Sequence, residues 1–308
     1  MRQHSLFVPA YGIEVYSHAF FLHLPSIKSI MGSFFTNITR GIIITLQKAF
    51  QSPYRSFGIS WAREKLLKHD SSITETSFLY KGKYRIHYQD RGAFLLSVRE
   101  IFTERLYEFK PSVDRPRILD CGGHIGMSAL FFLEQYPNCR LTVFEPDATN
   151  YQLLQKNSKG WKTENTEVVH AAVWVENGVV EFESNRDMSS AINLATQPLA
   201  NKVSVPSIRL RDKLNEPVDF LKMDIEGAEY AVLLDCRDQL KNVKNLFVEY
   251  HGMLDESDKL TELLSLFTQS GFKYYLTEAG RIHLNVFSNR DRGAYKFDQQ
   301  LNIFCFRD

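Results

Sequence analysis

Apolar residues are unevenly spread along this chain. From Arg117 onward they gather in short runs, RILD, RLTVF, EVVHAAVW, FLKM, NLFVEY, KYYLT and NIFCF, separated by stretches with helical spacing. Runs of that length read as buried strands, and their alternation with helix-length segments is the pattern of a parallel sheet covered on both faces. The strands predicted are Arg117–Asp120, Arg140–Phe144, Glu167–Trp174, Phe220–Met223, Asn245–Tyr250, Lys273–Thr277 and Asn302–Phe306. Between Trp174 and Phe220 the alternation breaks into VVEFES, a polar loop through Ser189-Ser190, and KVSVPSI, an insertion placed where a lid would lie. A hairpin turn at Ala279-Gly280 before the last strand predicts an antiparallel edge on a doubly wound α/β sheet.

The first third reads differently. Phe34, Phe35, Ile38, Ile42 and Leu46 recur near a helical period until Ser52-Pro53, and Trp61–His69 predicts a second short helix. FLYKGKYRIHY and AFLLSV, around Asp90-Arg91-Gly92, suggest a β-hairpin, and IFTERLYEF sets Ile101, Leu106 and Phe109 on one helical face. The linker Pro111–Pro116 then divides an N-terminal extension, 1–112, from a domain spanning 113–308. Met31 reads as an alternative start, so residues 1–30 are taken as either a flexible arm or an over-extended beginning.

Composition adds an asymmetry. The 308 residues are 44% hydrophobic and 24% charged, with net charge +1. Residues 1–115 hold 16 Lys and Arg against 9 Asp and Glu, whereas 116–308 hold 21 against 27. The basic front suits peripheral contact with an anionic membrane surface or an acidic glycan; scattered solvated Lys and Arg are the plainer explanation. No concentrated basic stripe speaks for nucleic acid. No run reaches the length of a membrane span, and a cytoplasmic location is expected. Cys121, Cys139, Cys236 and Cys305 show no metal-binding spacing and read as reduced packing residues.

The candidate chemistry lies at the strand ends, where open parallel sheets bind ligands. After the first strand comes Asp120-Cys-Gly-Gly-His-Ile-Gly126, in which Gly122, Gly123 and Gly126 remove side chains from a ligand's approach. A dinucleotide loop would read Gly-x-Gly-x-x-Gly. Here an acid precedes the first glycine, which suits a cation better than a phosphate. Glu145 follows 25 residues after Asp120, near the spacing of an acid that holds ribose hydroxyls. Together these point to S-adenosylmethionine ahead of NAD, with a tight strand-to-helix turn as the purely structural alternative. The strand DFLKMDIEGAEY brings Lys222, Asp224, Glu226 and Glu229 to the same edge, and NLFVEYHGM brings Glu249 and His251. A hydroxyl acceptor needs a placed base. His251, with an intrinsic pKa of roughly 6.5, and Asp224 or Glu249 are the candidates, while Lys222 is expected to pair with a carboxylate. No metal is expected, but Asp224, Glu226 and Glu249 are the set that would hold Mg2+ for a vicinal diol.

DCGGHIG, FEPD, LKMDIEGAE and VEYHG, in this order, resemble the FkbM-type S-adenosylmethionine-dependent methyltransferases over about Phe109 to Gly280. The resemblance implies a class I methyltransferase fold, Rossmann-like with a mostly parallel seven-stranded sheet, and O-methylation of saccharides, glycans, glycolipids or polyketide-type metabolites. It implies that Asp120, Gly122, Gly123, His124, Gly126, Glu145, Ala172 and Asp224 line the cofactor. Lys222, Asp224, Glu249 and His251 would then shape the reaction centre. His124 stands where the family usually has Asn. That departure opens a second reading, a cofactor-binding scaffold without turnover; an NAD-dependent oxidoreductase is a third.

Overall fold

Two reversals of chain direction shape the sheet that carries these strand ends. The computed structural model describes residues 52–70, 76–161, 164–183, 191–192 and 202–307, all within one compact unit, 51–308. The described chain begins with α1 (Trp61–His69), β1 (Ser77–Tyr80), β2 (Tyr84–His87), α2 (Arg91–Ser97) and a π-helical turn over Val98–Thr103. Next come β3 (Arg117–Cys121), α3 (Met127–Gln135), β4 (Arg140–Phe144), α4 (Ala148–Ser158) and β5 (Thr166–Val169). Then follow β6 (Ala172–Trp174), β7 (Gly178–Glu183), β8 (Ala191–Ile192), β9 (Lys202–Arg209) and α5 (Leu210–Lys213). The chain closes with β10 (Val218–Met223), α6 (Glu229–Asp235), β11 (Val243–Gly252), α7 (Ser257–Gln269), β12 (Lys273–Glu278) and β13 (Gln299–Phe306).

The seven-stranded sheet has the order β12-β13-β11-β10-β3-β4-β5. Five strands, β5 to β11 along that order, are parallel, and β13 runs antiparallel to both β11 and β12. This is the doubly wound α/β fold expected of a class I methyltransferase. The reversed strand is one position in from the edge, and the edge strand β12 is parallel to the rest. The chain winds outward from β3 through β4 to β5, then returns to lay β10 against the other side of β3. The crevice between β3 and β10 is therefore the topological switch point, where such sheets bind ligands.

Several expected elements are corrected. The run over Glu167–Trp174 is two strands in two sheets: Val169 O accepts from both Glu145 N and Ala171 N, which turns the chain, and β6 joins β7, β8 and β9 in a separate four-stranded sheet. The hairpin before the linker lies entirely within FLYKGKYRIH, turning at Lys81-Gly82 where both φ angles are positive, 51° and 66°. AFLLSV is helical because the Asp90 side chain caps it, accepting from Ala93 N at 2.6 Å. The helix expected over Ile101–Phe109 stops after Thr103, and Arg105 has φ 57°. β12 and β13 do pair, but residues 279–298 connect them in place of a tight turn at Ala279-Gly280. The helix over 32–51, the arm 1–30 and the Ser189-Ser190 loop lie outside the described residues.

Both faces of the sheet are covered. On one, Phe57, Tyr80, Phe94 and Phe102 from the front of the chain share a continuous apolar cluster with Phe131 and Phe132 of α3, Phe220 of β10 and Phe247 of β11. Phe57 stacks on Tyr80 at 4.0 Å, and Phe102 meets Phe131 edge-on at 5.6 Å. On the other, Val232 and Leu233 of α6 and Leu263, Leu266 and Phe267 of α7 pack with Leu119, Leu221 and Leu246. All four cysteines are buried and free. Among the described residues no helix is long and apolar enough to cross a membrane.

Candidate active site

Backbone geometry brings the two middle strands close at their carboxyl ends. Gly122 has φ 88°, and a Cβ there would lie 1.8 Å from the carbonyl oxygen of Asp224; at Gly123 a Cβ would meet Val143 Cγ1 at 2.2 Å. Both glycines are required by this contact between β3, β4 and β10. The next residue, His124, has φ 47°. Asn and His are among the residues that tolerate the left-handed region best, so the exchange of Asn for His keeps the conformation the turn needs.

These turns border an open cavity of about 1190 Å³, its mouth included. Gly122, Gly123, His124, Glu145, Ala172, Lys222, Asp224, Glu226 and Glu249 all line it. Three of the sequence-derived residues lie behind the wall. Gly126 packs against Leu154 and Trp161. Asp120, fully buried, accepts from Ser128 Oγ at 2.5 Å and faces Lys222 Nζ at 3.4 Å. His251 is buried against Glu229. A further part of the lining was not foreseen: Leu96, Ser97, Glu100 and Ile101, from α2 and the π-helical turn, and Tyr107 also line the cavity.

Glu145 is the best-defined acid. Its Oε2 accepts from His124 N at 2.7 Å and its Oε1 from Asp147 N at 2.8 Å. Each oxygen keeps a lone pair for a further donor. Burial pushes its pKa up to about 7 despite those two bonds. Burial lowers the pKa of His124, so that ring is neutral near pH 7.

Lys222 ties the switch point together. Its ammonium donates to Gly122 O at 2.8 Å and to Asp224 Oδ2 at 3.3 Å. It pairs with Asp120 and Asp224; Glu249 is not among its ion-pair partners. Burial opposes its charge, but these carboxylates raise its pKa well above the ordinary value, so Lys222 is a fixed cation and not a base.

At the ends of β10 and β11 the acids crowd one imidazole. His251 Nδ1 is 3.2 Å from Glu229 Oε1, and its Nε2 is 3.6 Å from Glu226 Oε2 and 3.7 Å from Glu249 Oε1. Burial disfavours the charged ring, yet Glu229, Glu226 and Glu249 outweigh it and lift its pKa to about 10. The His251 expected as a base titrating near neutrality thus sits among carboxylates that favour its charged form. Burial, reinforced by neighbouring acids, pushes Glu226 and Glu249 up. Glu226 itself has φ 57°, a left-handed residue directly before Gly227 at φ 100°.

The sequence profile of the methyltransferase FkbM domain matches residues 120–274, half of the chain and all of the strand ends just described. The chain belongs to the FkbM methyltransferase family. It is an S-adenosylmethionine-dependent methyltransferase on that assignment. Methyltransferase 1 of Beauveria bassiana (strain ARSEF 2860) is 26% identical over 200 residues, 56% of this chain and 79% of that protein. The 2-O-methyltransferase NoeI of Sinorhizobium fredii (strain NBRC 101917 / NGR234) is 26% identical over 155 residues, 44% of this chain and 63% of that protein. The crystal structure of methyltransferase FkbM from Methylobacillus flagellatus KT is similar over 66% of this chain and 46% of that one, at 20% identity and a TM-score of 0.42.

Proposed function

We propose that this FkbM-family enzyme transfers the methyl group of S-adenosylmethionine to a hydroxyl of a saccharide, glycan, glycolipid or polyketide-type metabolite in the cytoplasm. The charge of the cavity wall carries the cofactor side of this reading. Glu100, Glu145, Asp224, Glu226 and Glu249 line it, and among the described residues Lys222 is the one Lys or Arg that does. That ammonium is already engaged by Asp120 and Asp224. Burial raises the pKa of Glu100, Glu145, Glu226 and Glu249, and in its ionised form such a wall attracts a sulfonium and an ammonium and repels a pyrophosphate, which favours the adenosyl cofactor over NAD. The name of NoeI, a 2-O-methyltransferase, supports oxygen as the acceptor atom.

When bound, the cofactor supplies a methyl group on a positively charged sulfur. Glu145 would accept from the ribose hydroxyls, and the Gly122–His124 backbone would leave room beside them. A hydroxyl that took this methyl group would give up its proton, which a carboxylate of the site would accept. Asp224 and Glu249 are the acids at the ends of the two adjoining strands, and they take that role here; His251 is hydrogen-bonded to Glu229 and faces Glu226 and Glu249 without bonding to them. The chemistry is otherwise one of alignment.

Methyl transfer from labelled S-adenosylmethionine across a panel of hydroxylated saccharides and polyketides tests the reading. With an accepted substrate, Glu249→Gln is expected to lower kcat by about 100-fold or more, the usual worth of a placed base, with cofactor affinity held within about threefold. Full turnover in that variant would remove Glu249 from the mechanism. Cofactor binding with no methylated product across the panel would favour the scaffold reading.

A further inference from the structure

The ends of β10 and β11 hold an arrangement that proton transfer alone does not require. Asp224, Glu249 and His251 each offer one donor atom, and these atoms lie within 4.8 Å of one another. They do not bond to each other. His251 Nε2 stands 3.6 Å from Glu226 Oε2 and 3.7 Å from Glu249 Oε1, whereas a charge-assisted N–H···O bond closes to about 2.8 Å. Glu226 Oε2 is buried and has no hydrogen-bond partner. Donor atoms that share a cation at bond lengths of about 2.1 Å stand roughly 3.0–3.4 Å apart, so the two His251 gaps would close by a few tenths of an ångström on binding. The three donor atoms are near enough to one another to share one ion.

The other side of the imidazole supports the same conclusion. His251 Nδ1 meets Glu229 Oε1 at 3.2 Å, and Glu229 is itself fully buried and fixed by the backbone N–H groups of Ile225 and Gly227. A metal-binding histidine almost always gives its second N–H to such a carboxylate, which fixes the tautomer and leaves the other nitrogen for the metal. Lys222 holds Asp224 by Oδ2, which leaves that residue its second oxygen.

We propose that Asp224, Glu249 and His251 form a divalent-cation site, with Glu226 as a fourth oxygen donor within reach. One imidazole nitrogen among carboxylate oxygens suits a first-row ion such as Mn2+ better than Mg2+. Ligation through Nε2 exchanges the ring proton for the metal. Asp224, Glu226 and Glu249 open on the cavity, so the remaining coordination positions take water or the hydroxyl oxygen of an acceptor, which the cation would orient and acidify. That role rests on the methyl-transfer reading; the site's existence does not.

Chelator-treated full-length protein titrated with MnCl2 alone, with free Mn2+ followed by electron paramagnetic resonance, tests the site. One Mn2+ per chain is expected, with electron spin-echo modulation from a directly bound imidazole nitrogen in the wild type. His251→Gln and Glu249→Gln should each weaken binding by about tenfold or more, while S-adenosylmethionine binding, measured calorimetrically on the same preparation, persists in His251→Gln, whose side chain does not line the cavity. Absence of saturable Mn2+ binding, or binding without nitrogen coupling, overturns the site even if the cofactor binds. Nitrogen-coupled Mn2+ in a protein that fails to bind S-adenosylmethionine supports the site and sinks the cofactor reading instead.

Discussion

Lys222→Met is expected to cost about 3–5 kcal/mol of folding free energy, the usual result of removing one partner from a buried ion pair. In a unit of this size that lowers Tm by roughly 6–10 °C. Methionine retains the length of the aliphatic stem, so the loss isolates the charge. The ammonium is buried, donates to Gly122 O at 2.8 Å and faces Asp120 Oδ1 at 3.4 Å. Without it, Asp120 keeps Ser128 as its hydrogen-bond donor, and its Oδ1 has no hydrogen-bond partner even in the wild type. Burial already raises the Asp120 pKa, with Lys222 as the main opposing influence; removing the lysine leaves a carboxylate that must protonate or destabilise the fold. Asp120→Asn in the Lys222→Met background should therefore recover part of the lost stability. Thermal denaturation of the two single variants and the double variant measures this coupling. A Lys222→Met protein that melts with the wild type would show that the pair does not hold β3 to β10.

Glu145→Ala should weaken S-adenosylmethionine binding by about 100-fold, the loss of two hydrogen bonds to a charged acceptor at about 1.5 kcal/mol each. The carboxylate is pre-set for this task, because His124 N and Asp147 N hold one oxygen each. Its pH dependence is a sharper signature. Burial raises the Glu145 pKa to about 7, and ribose hydroxyls donate to the ionised form. Affinity should be full above that pKa and fall as pH drops through it, by about tenfold between pH 8 and pH 6 for one coupled proton. Glu145→Gln should flatten the profile. Calorimetric titrations across this range check both; a Glu145→Gln variant with unchanged affinity and slope would move the ribose elsewhere.

The parts of the site that could be read from the sequence are those whose residue types answer a local demand. Asp120 to Gly126 was legible because a strand that ends in a crowded turn needs glycine at Gly122 and Gly123, whatever surrounds it. Glu145, Lys222, Asp224 and Glu249 were legible because charged residues at the ends of apolar strands have few structural uses. The further part of the lining was not. Leu96, Ser97, Glu100 and Ile101 reach the cavity by way of a capped helix and a π-helical turn. The first resembles a strand when only apolar residues are counted, and the second has no sequence period of its own. Asp90, three residues before Ala93, was the available sign of the helix. The break between β5 and β6 was equally hidden, since EVVHAAVW is continuous and the turn depends on Glu145 N reaching Val169 O across the sheet. His251 was found by its position, but its charge depends on three carboxylates from two separate segments.

The central claim is that the crevice between β3 and β10 holds a cationic adenosyl cofactor beside Glu145. Calorimetric titration of the wild-type protein with S-adenosylmethionine, with S-adenosylhomocysteine and NAD as competitors, tests it most directly. The account predicts saturable binding of one S-adenosylmethionine per chain, displaced by S-adenosylhomocysteine and untouched by NAD. Saturable binding of NAD, or no binding of S-adenosylmethionine at pH 8 where Glu145 is ionised, would contradict it.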